Sequence, residues 1–436
     1  MLLRESIQED AETPETLDAG TELPNYFDLP GGAPRTHQYN LEDSKGKPWV
    51  ILRLNSRAPY SKALPVFFEG DKVNGEVEAN LGKGENCKAV IVKISGDVTS
   101  VGQEPMVFWR DTKTLWSSQG QSSKADGVNK WAFVFSFPKE AEINSTSKDY
   151  KTKHLLPPTF SERASPAYID YKLSVTIKRS FLRVNQTLGT SIVYVPRRIA
   201  PSPSLLRITA YRDGSQLLGP EIDLEGWSIL QSIELSGTLF GTKTVKVQAM
   251  LSVAAPLVYA SGSPIPLVLS LTSLDSQALD IIAQPSAVRV FLTRIMTIGS
   301  AATDDSAPKR SNNTFTEQLN QAFWWLAEED KSRPGVRVLH GEIDVRKNLT
   351  PSFVFSRLTV NYHIAMLPLS AVGFSPSTPV DQQLISQKVD IVAENASGVV
   401  PRSHAPPGYV RPDQGNYNNS MGYLENGNQR FYHHNR

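Results

Sequence analysis

The clearest chemical motif in the sequence is Pro406-Pro407-Gly408-Tyr409. Two consecutive prolines favour the extended polyproline II conformation, which loses little entropy when it binds a partner. WW domains bind such segments by placing the prolines in an aromatic groove, with the tyrosine ring in a neighbouring pocket. We therefore predict that Pro406, Pro407 and Tyr409 bind a WW domain. The alternative is an ordinary proline-rich turn, because four-residue motifs also arise by chance.

Basic residues cluster at two other places. They are Lys148, Lys151 and Lys153 on a predicted loop, and Arg197 and Arg198 in a proline-rich segment. Ammonium and guanidinium groups bind phosphates, so both clusters are candidates for contact with phosphorylated proteins or with anionic lipid head groups. The alternative is solvated surface charge, because most charge runs have no more specific role and Asp149 interrupts the first cluster.

No pattern in the sequence indicates catalysis. The seven histidines are dispersed, and none has a partner at the spacing of a metal site on a helix. The sequence contains neither a glycine-rich phosphate loop between a strand and a helix nor a Gly-x-Ser-x-Gly elbow. We interpret the single cysteine, Cys87, as a structural thiol. The expectation is a protein that is not an enzyme and has no cofactor and no metal site.

The composition of the chain limits the classes of partner and the cellular compartment that we expect. The chain has 45 Lys and Arg against 44 Asp and Glu, a net charge of +1, which argues against nucleic acid as a partner. One cysteine cannot form an internal disulfide, and the first residues lack the apolar core of a signal peptide, so we expect a cytosolic protein. Residues 247–274 carry no charge, but their prolines and the alternation over 265–271 favour strands over a membrane span.

Apolar and polar residues alternate from about residue 49 to residue 395, the pattern of strands with one buried face. The segment 169–177 is the clearest example, and turn residues separate it from similar segments. This arrangement predicts an all-β protein built from antiparallel sandwiches. One helix is predicted, over residues 314–329, because Thr314 and Glu317 match a capping box and apolar residues follow at helical spacing.

A weak internal duplication indicates two copies of one domain. Gly70 and Gly262 each precede a predicted strand and lie 192 residues apart, and a proline-rich hinge at 196–203 separates the copies. The predicted organisation is an acidic disordered tail at 1–35, a sandwich at 36–200, a second sandwich at 204–395 with an insertion at 299–334, and a disordered tail at 396–436 that contains the PPGY motif.

Several short motifs occur in a characteristic order. In the first copy they are FFEGDKVNGEV at 67–77, the strand at 89–96 and LPPTF at 156–160; in the second they are GSPIPL at 262–267, ALD at 278–280, GEI at 341–343 and PSF at 351–353. Together they resemble the arrestin fold family, specifically the fungal α-arrestin-like adaptors, over about residues 36–395. The resemblance implies two tandem immunoglobulin-like β-sandwiches, each with seven or eight strands, and a binding role.

The resemblance also implies a function. Adaptors of this type use PPxY motifs to recruit HECT-type ubiquitin ligases through WW domains, which promotes ubiquitin-dependent endocytosis and transport of a transporter or receptor cargo. Such a protein would be cytoplasmic and peripherally associated with the plasma membrane or endosomes, with anionic membrane as a further partner. Residues 396–436 contain no lysine, so ubiquitin would be attached to the folded body or to the cargo.

Two alternatives remain open from the sequence. One is an arrestin-fold sorting scaffold that acts in endosomal trafficking or signalling without recruiting a ubiquitin ligase. The other is a β-sandwich enzyme or carbohydrate-binding module, which the expected cytosolic setting and the lack of a convergent acid–base set disfavour.

Overall fold

Strands make up most of the residues that the structure describes, which confirms the all-β class predicted from the alternation. The computed structural model describes residues 34–43, 45–58, 61–81, 87–100, 104–118, 127–144, 151–161, 165–180, 183–299, 302–304, 310, 313–327, 334–347 and 349–407. The predicted acidic tail at 1–35 lies outside these ranges except for its last two residues.

The first half of the chain, residues 34–195, forms two sheets and a hairpin. The four-stranded sheet has the order β1 (Arg35–Glu42), β2 (Pro48–Ser56), β4 (Lys72–Leu81), β7 (Gly127–Ser136). The five-stranded sheet has the order β3 (Val66–Phe68), β11 (Gln186–Val195), β10 (Ala167–Arg179), β5 (Cys87–Ser100), β6 (Met106–Ser117). The hairpin pairs β8 (Glu140–Asn144) with β9 (Lys151–Leu155). Apolar residues of β10 alternate inward and are fully buried, as predicted for 169–177.

The second half, residues 205–392, forms two further sheets. The seven-stranded sheet contains β19 (Phe323–Leu326), β20 (Val336–Asp344), β16 (Pro264–Thr272), β14 (Lys243–Ala254), β13 (Ile233–Leu239), β23 (Phe374–Pro376) and β12 (Trp227–Ile229). The six-stranded sheet contains β15 (Val258–Ala260), β24 (Ile385–Val392), β22 (Leu358–Met366), β17 (Val290–Ile298), β18 (Thr314–Gln321) and β21 (Phe353–Phe355). The helices are α1 (Leu205–Asp213) and α2 (Ser276–Ile282), followed by a 3₁₀ turn at Pro285–Ala287.

The two halves repeat the same strand pairing at equivalent places. In the first half β3 pairs parallel with β11, and in the second half β15 pairs parallel with β24. The two short strands are followed by Gly70 and Gly262, whose φ angles are 89° and 81°, a conformation that favours glycine. The described residues thus place the same parallel pairing and the same glycine turn in both halves.

A hydroxyl beside the last long strand of each half also repeats. The Thr159 Oγ1 accepts a hydrogen bond from the Tyr194 backbone N–H at 2.8 Å, while the Ser352 Oγ accepts one from the Ile391 N–H at 2.9 Å. Both hydroxyl residues lie in the proline-containing segments that carry the family resemblance, LPPTF and PSF. In each half, the hydroxyl group of the motif therefore accepts a hydrogen bond from a backbone N–H that would otherwise be buried without a partner.

The predicted helix at 314–329 is wrong. Residues 314–326 instead form β18 and β19, which pair with β17 and β20 and so belong to the two sheets of the second half. Arg294 explains part of this outcome, because its nearly buried guanidinium on β17 lies 3.2 Å from the Glu317 carboxylate on β18. Trp324 is buried against Gly341, where the absence of a side chain leaves room for the indole ring. Sheet pairing thus overrides a local helical pattern.

The uncharged stretch at 247–274 contributes to β14, β15 and β16, which confirms that it forms strands. Within the described ranges, no helix is long and apolar enough to cross a membrane.

Aromatic rings join the two halves. The ring centroids of Phe108 and Phe355 lie 4.8 Å apart, and those of Phe160 and Phe353 lie 5.8 Å apart, both in edge-on arrangements. Such pairs stabilise beyond the apolar area that they bury. The halves are therefore held by packing in addition to the chain that links them.

Candidate partner-binding site

Helix α1 begins directly after the hinge and forms one wall of the candidate site. The Ser204 Oγ accepts a hydrogen bond from the Arg207 backbone N–H at 3.2 Å, so Ser204 caps the first turn. Gly214 ends the helix in the left-handed conformation, with φ of 71°. We did not predict this helix from the sequence, and its first residues, Leu205 and Leu206, are exposed rather than part of a buried stripe.

Arg207 fixes α1 to the second half. Its buried guanidinium donates to the carbonyl of Ala255 at 2.7 Å and to the carbonyl of Gly226, and it lies 5.0 Å from the centroid of the Trp227 ring. Burial lowers the pKa of Arg207. Because the same guanidinium group contacts both carbonyls and the ring, it holds α1 in a defined position on the second half.

The chain stays on the body of the protein after β24. We call residues 396–407 the C-terminal arm. Asn395, just before it, donates from Nδ2 to the Ser263 Oγ at 3.1 Å, and within it Val399 and Pro401 line one small cavity together with Tyr211. We predicted a disordered tail over residues 396–436. The structure instead packs the arm, which is the first part of that segment, on the second half. The arm packs according to the shape of the surface beneath it, and the spacing of apolar residues in the sequence does not predict that shape.

Glu342, on β20, holds the outer end of the arm. Its carboxylate accepts a hydrogen bond from the Ser403 hydroxyl at 2.6 Å and a second from the His404 backbone N–H at 2.6 Å. Glu342 is only 4% exposed. The two donors therefore satisfy oxygens of a carboxyl group that has little access to water.

His404 packs between Glu342 and α1. Its ring centroid lies 5.7 Å from that of Tyr211, and its Nδ1 is 3.9 Å from the Glu342 carboxylate, beyond hydrogen-bond distance. Burial lowers the pKa of His404, and burial raises the pKa of Tyr211 to about 12. We therefore treat the imidazole as neutral and packed on the tyrosine ring, because an ion pair with Glu342 would require the proton that burial disfavours.

The arm leads directly into the predicted WW-binding motif. Pro406 and Pro407 are exposed, whereas His404 and Ala405 are half-buried. Of the three predicted WW-binding residues, Pro406 and Pro407 therefore lie at the end of an anchored segment. Tyr409 lies outside the described residues.

The hinge arginines lie at the junction of the two halves. The Arg197 guanidinium donates to the Glu394 carboxylate at 2.9 Å, and its backbone N–H donates to the Glu69 carboxylate at 3.1 Å. Arg198 donates from Nη1 to the Ser352 carbonyl at 2.9 Å. The hydrogen bond to Glu394 raises the pKa of Arg197. Both guanidinium groups thus have partners within the protein.

Two of the basic residues that we predicted on a loop, Lys151 and Lys153, lie instead on strand β9 of the β8–β9 hairpin. Lys151 and Lys153 project from β9, and their Nζ atoms lie 3.6 Å and 3.8 Å from the Glu142 carboxylate. Both lysines are about two-thirds exposed. Lys148 lies outside the described residues. The hairpin therefore presents two accessible ammonium groups with one carboxylate between them.

Among the residues that the structure describes, no group of three or more His, Cys, Asp or Glu side chains could hold a metal ion. Cys87 is half-buried, and its Sγ lies 3.7 Å from the Ala89 carbonyl.

The sequence motifs did not single out Glu342 as a site residue. Alternation along β20 turns Leu339, Gly341 and Ile343 inward, so it places Glu342 on the outer face, where carboxylates are ordinarily solvated. Its contacts with Ser403 and His404 join residues 61 and 62 positions apart. Their proximity follows from the path of the arm, and no local sequence signal reports it.

In comparison with known proteins, the chain matches no protein-family model and no curated protein.

Proposed function

We propose that this protein is an arrestin-like adaptor without enzymatic activity. Its PPGY motif recruits a HECT-type ubiquitin ligase that has WW domains, and its folded body binds a membrane transporter or receptor. The result is ubiquitin-dependent endocytosis and transport of that cargo. The adaptor acts in the cytoplasm at the plasma membrane or at endosomes, where holding a ligase beside its substrate raises the effective concentration of target lysines.

The exposure of Pro406 and Pro407 at the end of the anchored arm carries this proposal. A WW groove reads the solvent-facing edge of a polyproline II segment, so both prolines must be accessible. The arm holds them beside α1, on the second half of the body. A docked ligase would therefore lie close to the folded surfaces that are available to a cargo.

The repeated architecture supports the arrestin-like assignment. The parallel pairs β3–β11 and β15–β24 occur at the same place in each half, and each is followed by a glycine with positive φ. Two tandem copies of one sandwich are the organisation that the arrestin resemblance implies. Large sheet surfaces of this kind suit binding of another protein.

A peptide titration tests the motif directly. A peptide of residues 401–420 should bind a WW-domain protein, and its Tyr409→Ala version should bind at least about tenfold more weakly because the tyrosine pocket is left empty. Tyr417→Ala in the same peptide is the matched control and should bind as the parent does. Equal binding by the parent and the Tyr409→Ala peptide would contradict ligase recruitment.

A cellular comparison separates the adaptor from the sorting-scaffold alternative. The proteins that co-purify with the wild-type chain should include a HECT ligase, and a chain with Pro407→Ala and Tyr409→Ala should lose it. Ubiquitin on the cargo should fall in parallel. An unchanged set of partners would instead support an arrestin-fold scaffold that acts without a ligase.

Contact with anionic membrane is a separate part of the proposal. Lys151 and Lys153 are accessible on the described part of the β8–β9 hairpin, so Lys151→Glu with Lys153→Glu should reduce sedimentation with vesicles that contain phosphatidylserine. Lys243→Glu with Lys246→Glu, on β14, is a control of equal charge change. Equal loss in both double variants would mean that net charge alone, and no site on the hairpin, governs the binding.

A further inference from the structure

The surface around the start of α1 exposes four large apolar side chains. Leu205 and Leu206 begin the helix and are 81% and 45% exposed, and Ile222 and Leu224, in the loop that follows the helix, are 65% and 73% exposed. Contiguous apolar surface of this kind is uncommon on soluble proteins unless a partner covers it. These residues therefore indicate a binding site if the two pairs form one continuous surface.

One buried carboxylate brings the two pairs together. The Ser204 hydroxyl donates to the Asp223 carboxylate at 2.5 Å, although the two residues are 19 positions apart. Leu205 directly follows Ser204 in the chain, while Ile222 and Leu224 flank Asp223. Because Asp223 is buried and both of its neighbours are exposed, the loop turns these neighbours outward beside the start of the helix. We call this surface the α1 patch; its members are Leu205, Leu206, Ile222 and Leu224.

The structure beneath the α1 patch holds it in place. Asp223 also accepts a hydrogen bond from the Gly226 N–H at 3.0 Å, and the Gly226 carbonyl accepts one from the Arg207 guanidinium of the helix. The Trp227 indole N–H donates to the Leu218 carbonyl at 2.9 Å, which ties the loop to β12. A surface that is ordered before a partner arrives loses little conformational entropy on binding.

Carboxylates border the α1 patch. Glu221 and Glu225 are exposed and lie one residue to either side of the loop pair. The two cations of the segment 204–226 do not offset them, because Arg207 is buried and Arg212 lies 2.9 Å from the Asp213 carboxylate. The accessible charge beside the patch is therefore negative, which complements a partner that combines apolar side chains with cationic ones.

Cytoplasmic segments of membrane proteins have this combination. Their short loops and the residues near each membrane span carry an excess of lysine and arginine, next to apolar residues of the span. We propose that the α1 patch binds a basic, leucine-rich cytoplasmic segment of the membrane-protein cargo. The apolar side chains of that segment cover the four exposed residues, and its lysine or arginine side chains pair with Glu221 and Glu225. The inference rests on the proposed role of the protein as an adaptor.

The α1 patch lies close to the site that we propose for the ligase. Leu205 precedes Tyr211 on the same helix by six positions, a separation of about 9 Å along the helix axis. The ring of His404 in the C-terminal arm packs on Tyr211, and the exposed Pro406 and Pro407 follow it in the chain. A cargo segment on the patch would thus hold its own lysines beside a WW-bound ligase, where their effective concentration is high.

Binding of defined peptides to the full chain, measured by fluorescence anisotropy, tests this surface. The first probe is a synthetic peptide with leucine and lysine placed on opposite faces at helical spacing. In the second probe serine replaces every leucine, and in the third glutamate replaces every lysine. Only the first should bind well, because it alone offers both apolar cover and positive charge. Its affinity should fall as salt is raised, because screening weakens the pairs with the carboxylates.

Apolar substitutions in the α1 patch should weaken binding of the leucine–lysine peptide. Ile222→Ser with Leu224→Ser should lower the affinity at least about tenfold, because side chains at the centre of the contact are lost. Leu274→Ser with Val372→Ser is the matched control, since these two residues are also exposed but lie in other loops. All four positions are on the surface, so neither double variant challenges folding. An equal loss in both would overturn the assignment.

Charge substitutions beside the patch should have a smaller effect. Glu221→Lys with Glu225→Lys should lower the affinity about threefold or more and remove its weakening by salt. Glu104→Lys with Asp381→Lys makes the same change of net charge at other exposed carboxylates. An equal effect of both pairs would mean that net charge alone attracts the peptide, and equal binding of the serine–lysine peptide would mean the same. Either result would contradict a role for the patch.

Two other occupants would give different results. If a peptide of residues 408–436 displaced the leucine–lysine peptide, the tail of this chain would be the occupant. If the wild-type chain self-associated in sedimentation and Ile222→Ser with Leu224→Ser made it monomeric, a second copy would be the occupant. Either result, like failure of the leucine–lysine peptide to bind, would overturn the cargo segment as the partner of the patch.

A cellular comparison separates this inference from ligase recruitment. The chain with Ile222→Ser and Leu224→Ser should still co-purify a HECT ligase but should lose the ubiquitin on its cargo, whereas the chain with Pro407→Ala and Tyr409→Ala should lose both. If the patch variant keeps cargo ubiquitin at the wild-type level, the α1 patch is overturned while the adaptor role stands. If the wild-type chain co-purifies no HECT ligase, the proposed function fails whatever the peptides show.

Discussion

Among the described residues, the second half carries α1, α2 and the C-terminal arm in addition to an arrangement that both halves share. In the first half the Tyr171 hydroxyl donates to the Pro157 carbonyl at 2.6 Å, and in the second the Tyr362 hydroxyl donates to the Thr350 carbonyl at 2.6 Å. Both tyrosines are fully buried. The shared frame is therefore interior structure, whereas α1 and the arm lie on its surface. This difference assigns the interior contacts to the shared frame and the candidate partner-binding site to α1 and the arm.

Removing the aromatic contact between the halves should have the largest effect. Phe160→Ala and Phe353→Ala each delete a buried ring and should lower the free energy of unfolding by about 3–5 kcal/mol. Because the two rings touch each other, the double variant should lose less than the sum of the single losses. Urea unfolding of the four proteins measures this coupling. Strict additivity would show that the halves do not stabilise each other through this pair.

The equivalent tyrosines allow a sharper comparison. Tyr171→Phe and Tyr362→Phe each remove one buried hydroxyl and leave a carbonyl without its donor, so each should cost about 1–3 kcal/mol. Similar losses in unfolding measurements are expected if the two halves use this bond in the same way. If only one variant lowered the free energy of unfolding, the equivalent hydrogen bonds would not contribute equally to the stability of the two halves.

The hinge ion pair should matter less. Arg197 and Glu394 are both more than one-third exposed, so Arg197→Ala should lower the free energy of unfolding by at most about 1 kcal/mol. The loss should shrink further at high salt, because screening weakens the pair in the wild type. Thermal unfolding at low and at high salt tests this expectation. A larger, salt-independent loss would show that Arg197 acts by packing on Phe68, which lies 6.0 Å from the guanidinium.

The smallest expected effect concerns pH. His37 is buried in the first half, and its ring nitrogens lie 2.8 Å from the Ser56 Oγ and 3.0 Å from the Ser61 carbonyl. Burial lowers the pKa of His37 below its ordinary value, so the unfolded chain binds the proton more tightly than the folded chain. This group therefore reduces stability as the pH falls from above 6.5 towards its folded pKa.

Replacing the histidine tests the sign of that dependence. The His37→Gln variant should show a flatter fall in unfolding free energy between pH 7.5 and pH 5, which are about one unit or more on either side of the ordinary histidine pKa. Denaturant unfolding at several pH values provides the slope. A slope identical to that of the wild type would rule out His37 as a contributor.

Local patterns predicted the strands reliably where alternation was regular. The segment 169–177 became the centre of β10, and 265–271 became part of β16, because a period of two directly reflects the two faces of a strand. The glycines at 70 and 262 were equally informative, since each has the positive φ that a turn requires. These features depend on neighbours in the sequence.

The same reasoning failed where distant partners decided the outcome. The residues at 314–329 have a helical pattern, but pairing with β17 and β20 made them strands. Helix α1 exposes its two leucines and buries Arg207, whose guanidinium fixes the helix through carbonyls far along the chain. A hydrogen bond or ring contact to a distant residue has no local signature.

The amino-acid sequence by itself determined the β class and the position of the PPGY motif, because period, composition and motif are properties of adjacent residues. Tertiary structure alone decided that the segment before the motif is held by Glu342 and that the hinge arginines are bound to Glu394 and Ser352. Those contacts join residues more than 60 positions apart. Only the path of the folded chain brings such charges and hydroxyls within hydrogen-bond distance.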